Sequence, residues 1–255
     1  MRSVFRYREL IRNLVFKDLK LKYRDSTFGF LWSLANPLLV ISVYSFVFGH
    51  LLPVGVERFP YFLMIGILSW NFFAQSLMMS TGSILENGNL IRKVAVPMEV
   101  FPVATVLFNL AQYLLALVVL FPLAFVFFGV LPLWSWLAFL PILALHVLFT
   151  LGACFVVAAA TVFYRDVRHF TEILLMLLFW LTPIIYDIRS ITPALQSVIY
   201  LNPLSFFTLG YQKVLYYNAF PSFQEVAVLT ILTSLMVVTG YALFVRLKTR
   251  FAEEV

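Results

Sequence analysis

One cysteine, Cys154, stands among 255 residues. A single thiol excludes an internal disulfide framework and any cysteine-rich metal site. Cys154 lies inside a long apolar run and reads as a small packed hydrophobe. Charge is scarce too: Asp, Glu, Lys and Arg make up only 12% of the chain, about half the share of a soluble domain. Carboxylates are the scarcer sign, 12 against 18 Lys and Arg. No G-x-x-x-x-G-K-[ST], H-E-x-x-H or G-x-S-x-G stretch occurs, and no loop gathers carboxylates. Nucleotide hydrolysis, zinc hydrolysis and acyl transfer therefore have no machinery in this sequence. No cofactor and no metal is expected on the chain itself, and no nucleic-acid partner.

What fills the space is apolar. Hydrophobic residues reach 62%, with 28 Phe, 12 Tyr and 5 Trp. A soluble fold of this size cannot hide so much apolar surface. The expected class is an all-α integral membrane protein. A crossing helix needs about 20 apolar residues. Residues 26–56, 59–85 and 226–245 are free of Lys, Arg, Asp and Glu, and 100–164 is long enough for two spans. The turn between those two fits Gly129-Val130-Leu131-Pro132, with Trp134 and Trp136 at an interface.

The stretch from 165 to 225 is ambiguous. Residues 173–186 are uncharged but short, while Pro193 and Asn202-Pro203 interrupt 190–212. Positive charge stays on the cytoplasmic side, and both chain ends are basic, so an even number of spans is expected. The spans are 28–52, 60–83, 100–128, 134–162, 170–187 and 225–245. Residues 190–217 then return at the outer face as short re-entrant helices. Under this scheme every Lys and Arg except Arg58, Arg189 and Lys213 lies on an inner segment.

The first 27 residues show no signal-peptide pattern and read as an amphipathic helix at the cytoplasmic interface. Arg6, Glu9, Asn13, Lys17, Lys20 and Arg24 form one polar stripe, opposite Tyr7, Leu10, Ile11, Leu14 and Leu21. The alternative is a plain orientation signal. His146 is the lone ionisable group within 100–164, and it reads as a hydrogen-bonded packing residue rather than a proton relay. With no ionisable chain across the bilayer and no charged pore ring, any uphill transport must draw energy from elsewhere. Two inner loops, around Glu86, Leu90, Ile91, Arg92, Lys93 and Val94 and around Arg165, Asp166 and Arg168, suit docking onto a soluble partner, or are ordinary solvated turns.

The stretch from Asp18 to Trp32 with Asn36-Pro37-Leu38, the pair Tyr164-Arg165-Asp166-Val167 and Trp180-Leu181-Thr182-Pro183-Ile184-Ile185-Tyr186, and Leu201-Asn202-Pro203-Leu204 with Tyr211-Gln212-Lys213-Val214-Leu215 together resemble ABC exporter permeases of the polysaccharide branch. That branch handles O-antigen, capsule and teichoic acid polymers. Phe28 stands where the family often has Leu. The resemblance implies a homodimer seated on two copies of a cytoplasmic ATP-binding subunit, which would hold ATP and magnesium. It implies coupling helices at the two inner loops and outer gate helices at 190–217. It implies a bacterial inner-membrane location, and a cargo of polysaccharide linked to undecaprenyl diphosphate. Related cargoes, or a multi-span membrane enzyme or scaffold, are the alternatives.

Aromatic walls can slide along sugar faces without holding any unit tightly, as a conduit requires. The candidates are Trp32, Tyr44, Trp180, Tyr186, Tyr200, Phe206 and Phe207; the alternative is an interfacial belt or lipid-facing bulk. Lys20, Lys22 and Arg24 with Tyr23 are candidates for a lipid diphosphate, or simply orient the chain. Pro37, Pro122, Pro141 and Pro183 lie in apolar runs, where Pro37 and Pro183 would hinge or statically bend their spans.

Overall fold

The computed structural model describes residues 7–24, 31–93, 96–131 and 133–251. Among the described residues all regular structure is helical. Arg6, Phe28 and Val94, and the side chain of Tyr23, lie outside what is described. The order is α1 (Arg8–Tyr23), α2 (Leu31–Phe46) continued by a π-turn (Val47–Leu51), α3 (Phe59–Gly82), α4 (Gly88–Lys93) and α5 (Val100–Phe128). Then come a 3₁₀ turn (Trp134–Ala138), α6 (Phe139–Phe163), α7 (Val167–Leu181), α8 (Pro193–Ile199), α9 (Pro203–Tyr211) with a second π-turn (Gln212–Tyr216), and α10 (Phe223–Leu247).

Four described helical segments are long and apolar enough to cross a membrane: Phe59–Gly82, Val100–Phe128, Trp134–Phe163 and Phe223–Arg250. Ala35–Leu51 is a shorter apolar segment. Local chemistry sets several ends. α5 stops at Gly129, whose φ of 62° suits a left-handed cap and whose N–H reaches the Phe125 carbonyl. α10 starts on a reciprocal capping box between Ser222 and Glu225.

α7 differs most from a plain span. It begins at Val167 and ends at Leu181, because Pro183 disfavours helical backbone at Thr182. Its 15 residues cover about 22 Å, less than the ~30 Å hydrocarbon core. Beyond Leu181 the backbone is non-helical through Thr182–Tyr186. Such backbone is tolerated at membrane depth only when protein satisfies it. The returning helices do this: Asn202 Nδ2 donates to Thr182 Oγ1 at 2.8 Å, and Gln212 Nε2 donates to the Pro183 carbonyl at 2.6 Å. Gly66 of α3 makes room, since a Cβ there would lie 3.1 Å from Ile184 Cα. Pro183 is thus a helix stop, whereas Pro37 and Pro122 sit inside continuous helices.

The main core joins α3, α5, α6 and α9, with Cys154 fully buried in it. His146 is the packing residue expected: its Nδ1 lies 3.2 Å from the Tyr211 hydroxyl, and Phe72, Phe73 and Phe207 surround the ring. α1 is not a free-lying helix. Ile11 and Leu14 bury against Val100, Phe101 and Ala104 of α5, and Lys22 Nζ donates to Gln112 Oε1 further along the same helix.

Candidate functional site

Two cavities lie side by side along α2 and α3. The first, of about 470 Å³, is lined by Lys22, Trp32, Asn36, Asn71, Gln75, Asn109 and Gln112, among others. The second, of about 430 Å³, is lined by Tyr44, Trp70, Phe179 and Trp180 together with the same Asn36, Asn71 and Gln75. Those three amides therefore form a shared polar seam, with a cation at one end and an aromatic wall at the other.

The spacing explains the seam. Asn71 and Gln75 are four apart on α3, and Asn109 and Gln112 are three apart on α5, so each pair shares a helix face. Asn109 Nδ2 donates to the Thr105 carbonyl at 3.0 Å, while its Oδ1 has no hydrogen-bond partner among the described residues. Burial pushes the Lys22 ammonium below the usual lysine range.

The predicted aromatics divide. Trp32, Tyr44 and Trp180 line the two adjoining cavities. Trp180 is 58% exposed and packs edge-on against Phe179, which also meets Trp70 and Tyr44. Tyr186 donates its hydroxyl to the Trp180 carbonyl at 3.1 Å. Tyr200 and Phe206 form a separate ring pair, one just after α8 and one on α9. Phe207 stands apart at 1% exposure, stacked on His146 and tilted against Phe149 in the core. Lys20 and Arg24 line a different surface of α1 from Lys22, beside Asn13 and Phe16. Asn36, Asn71, Gln75, Asn109 and Gln112 leave no mark in a pattern of charges, because amides carry none; their signal is the spacing i, i+4 of Asn71 and Gln75 and i, i+3 of Asn109 and Gln112, with Asn36 outside it.

At the opposite end a cavity of about 580 Å³ is lined by Glu57, Arg58, Asp187, Tyr216 and Tyr217. All four described residues with positive φ, Gly55, Arg58, Gly129 and Asn218, line it. Tyr217 donates to Asp187 Oδ2 at 2.7 Å, and the Arg189 guanidinium sits 3.8 Å from the Tyr217 ring centre.

The predicted docking loops also have defined places. Leu90 and Ile91 pack toward α1 and α5, while Glu86, Arg92, Lys93, Arg165, Asp166 and Arg168 are exposed. Lys17, Asp18, Glu86 and Arg168 line one cavity of about 310 Å³. Burial, opposed by Lys17 and reinforced by the Glu86 charge, raises the Asp18 carboxyl above its ordinary range. Thus α1 and both loops meet at one end of the molecule.

The described residues thus form a helical bundle with long apolar segments, an amide seam within it and an exposed basic end. Residues 9–216 match the ABC-2 type transporter family, and the chain belongs to it, as a multi-pass membrane permease. It is similar to an O-antigen export system permease protein RfbA of Klebsiella pneumoniae, 34% identical over 93% of this chain and 91% of that protein. A second Klebsiella pneumoniae RfbA is 33% identical over the same shares. The RfbA of Myxococcus xanthus is 30% identical over 100% of this chain and 98% of its own length.

Proposed function

We propose that this chain is the transmembrane subunit of an ATP-driven exporter that moves lipid-linked, O-antigen-like polysaccharide outward across the bacterial inner membrane. The observation that carries the reading is near end-to-end similarity to three O-antigen export permeases. The seam of amides beside Trp32, Tyr44 and Trp180 agrees with it, because amides and ring faces are the groups that sugars engage weakly.

In this reading the chain forms one transmembrane domain, 1–255, with six spans at 28–52, 60–83, 100–128, 134–162, 170–187 and 225–245. Residues 1–27 lie at the inner face, and 190–217 act as gate helices at the outer mouth. Both termini are cytoplasmic. Two copies pair, and each receives an ATP-binding subunit at Glu86, Leu90, Ile91, Arg92, Lys93, Val94, Arg165, Asp166 and Arg168. ATP and magnesium belong to that partner. Trp32, Tyr44, Trp180, Tyr186, Tyr200, Phe206 and Phe207 serve the cargo path, and Lys20, Lys22, Tyr23 and Arg24 attend the lipid phosphate. A two-fold pair is the commonest closed symmetry and would widen the path.

The test is isolation from native membranes followed by reconstitution. Recovery of an ATPase subunit in a two-to-two complex, with hydrolysis stimulated by lipid-linked polymer, supports the reading. A chain that purifies without an ATPase, or transports unaided, overturns it. Since Cys154 is the sole cysteine and is buried, Arg250→Cys gives a clean topology probe, and labelling from the outer side would overturn the six-span scheme.

A further inference from the structure

Phe251 stands just past a 3₁₀ turn (Lys248–Arg250) that follows α10, and it is 0% exposed. Its neighbours in sequence are Lys248-Thr249-Arg250 before and Ala252-Glu253-Glu254 after, a polar context in which a fully buried ring is unexpected. Two rings hold it. Phe163 lies 5.8 Å away and Phe244 5.4 Å away, centre to centre. Phe163 is the last residue of α6 and leads into the short turn before α7.

The same segment is joined to the loop that carries α4. Ile84, near the start of that loop, is buried in one cluster with Phe155, Phe244 and Phe251, and Ile91 and Met98 pack against the cluster. At the far end of the loop, Lys248 reaches Glu99 at 2.6 Å. Residues 248–251 thus connect the α4 loop, near both its ends, to the α6–α7 turn. The two loops are separated in sequence by α5 and α6, and no local period brings them together. The Glu99 side chain is 5% exposed and that of Lys248 36%. A buried ion pair is weak evidence for stability and is best attested as a device that fixes register. Here the aromatic cluster supplies the burial, and the pair sets where the turn sits against the start of α5.

We infer that residues 248–251 are a brace: Phe251 and the Lys248–Glu99 pair hold the α4 loop and the α6–α7 turn as one body with α6 and α10. A soluble partner seated on the exposed charges of either loop, Glu86, Arg92 and Lys93 or Arg165, Asp166 and Arg168, then moves both loops and both helices together. Phe251 and Lys248 are positioning residues, which act through the loops and not on the cargo. That the partner is an ATP-binding subunit rests on the export reading; the brace itself does not.

The experiment is hydrogen–deuterium exchange on the full chain in nanodiscs, followed by transport with the complete complex. Phe251→Ala is expected to speed exchange in both 84–93 and 164–168 by about tenfold, a loss of about 1.4 kcal/mol in local opening, while α3 keeps its wild-type protection. Lys248→Met should act in the same direction on the α4 loop, with Lys248→Arg restoring most of the protection. Arg250→Gln, exposed in the same turn, serves as the control and should match wild type. Exchange that Phe251→Ala leaves unchanged in either loop overturns the brace. Should α3 lose protection as well, the fold has failed, and Phe251→Leu, which keeps an apolar group in the cluster, decides by the same comparison. In the complex, Phe251→Ala should lower polymer exported per ATP hydrolysed several-fold while hydrolysis continues. An unchanged ratio despite loosened loops would overturn the role of the brace in transport. A wild-type chain that retains no ATPase subunit counts against the export reading instead, and the exchange result still decides the brace.

Discussion

Gly152 of α6 and Gly240 of α10 meet backbone to backbone: a Cβ on Gly240 would lie 2.1 Å from the Gly152 carbonyl oxygen, and one on Gly152 would lie 2.6 Å from the Met236 carbonyl oxygen. Small residues at such crossings let membrane helices approach closely where hydrophobic driving force is absent. Thr233 adds a bond to the Leu145 carbonyl at 3.3 Å on the same interface.

Gly240→Ala should therefore force α10 away from α6. Overpacking of this kind costs about 1–3 kcal/mol. Thermal unfolding in detergent should show a clear fall in Tm for Gly240→Ala and Gly152→Ala. A control at Gly49, where a Cβ meets nothing within 4 Å, should melt near the wild-type temperature.

Glu99 immediately precedes α5 and is 4% exposed, and Lys248 reaches it at 2.6 Å. This ties the end of the last helix to the start of α5. Lys248→Met leaves a buried carboxylate without its partner and should cost about 1–3 kcal/mol. Lys248→Met with Glu99→Gln should recover part of that loss, read as a double-mutant cycle.

The Tyr217 hydroxyl is raised above the usual tyrosine range, first by burial and then by its bond to Asp187. A raised folded-state pKa means stability present below the unfolded value, about 10, and lost as pH climbs toward the folded one. Wild-type stability should fall above pH 10, and Tyr217→Phe should lose that part of the slope. Melting temperatures of the two proteins at pH 8 and pH 11 decide it.

Phe207 and Trp180 should separate stability from transport. Phe207→Ala removes a ring at 1% exposure and should cost about 3–5 kcal/mol. Trp180→Ala, at 58% exposure, should leave Tm nearly unchanged while slowing polymer export several-fold in cells. Equal export by Trp180→Ala and wild type would remove Trp180 from the path.

Composition and charge-free runs alone established a membrane protein and located its long apolar segments, because the cost of charge in hydrocarbon leaves long gaps between ionisable residues. The resemblance to polysaccharide exporters, not composition, marked Trp32, Tyr44, Trp180 and Lys22 as candidates, and these line two adjoining cavities. Only the tertiary structure revealed that Asn36, Asn71, Gln75, Asn109 and Gln112 converge, since amides leave no gap in a charge pattern and come from three separate helices. It alone set Phe207 in the core rather than beside the other aromatics, a matter of which face of α9 turns toward His146. And it alone brought Asn202 and Gln212 to the broken end of α7, a pairing across 20 and 29 residues that no local period encodes.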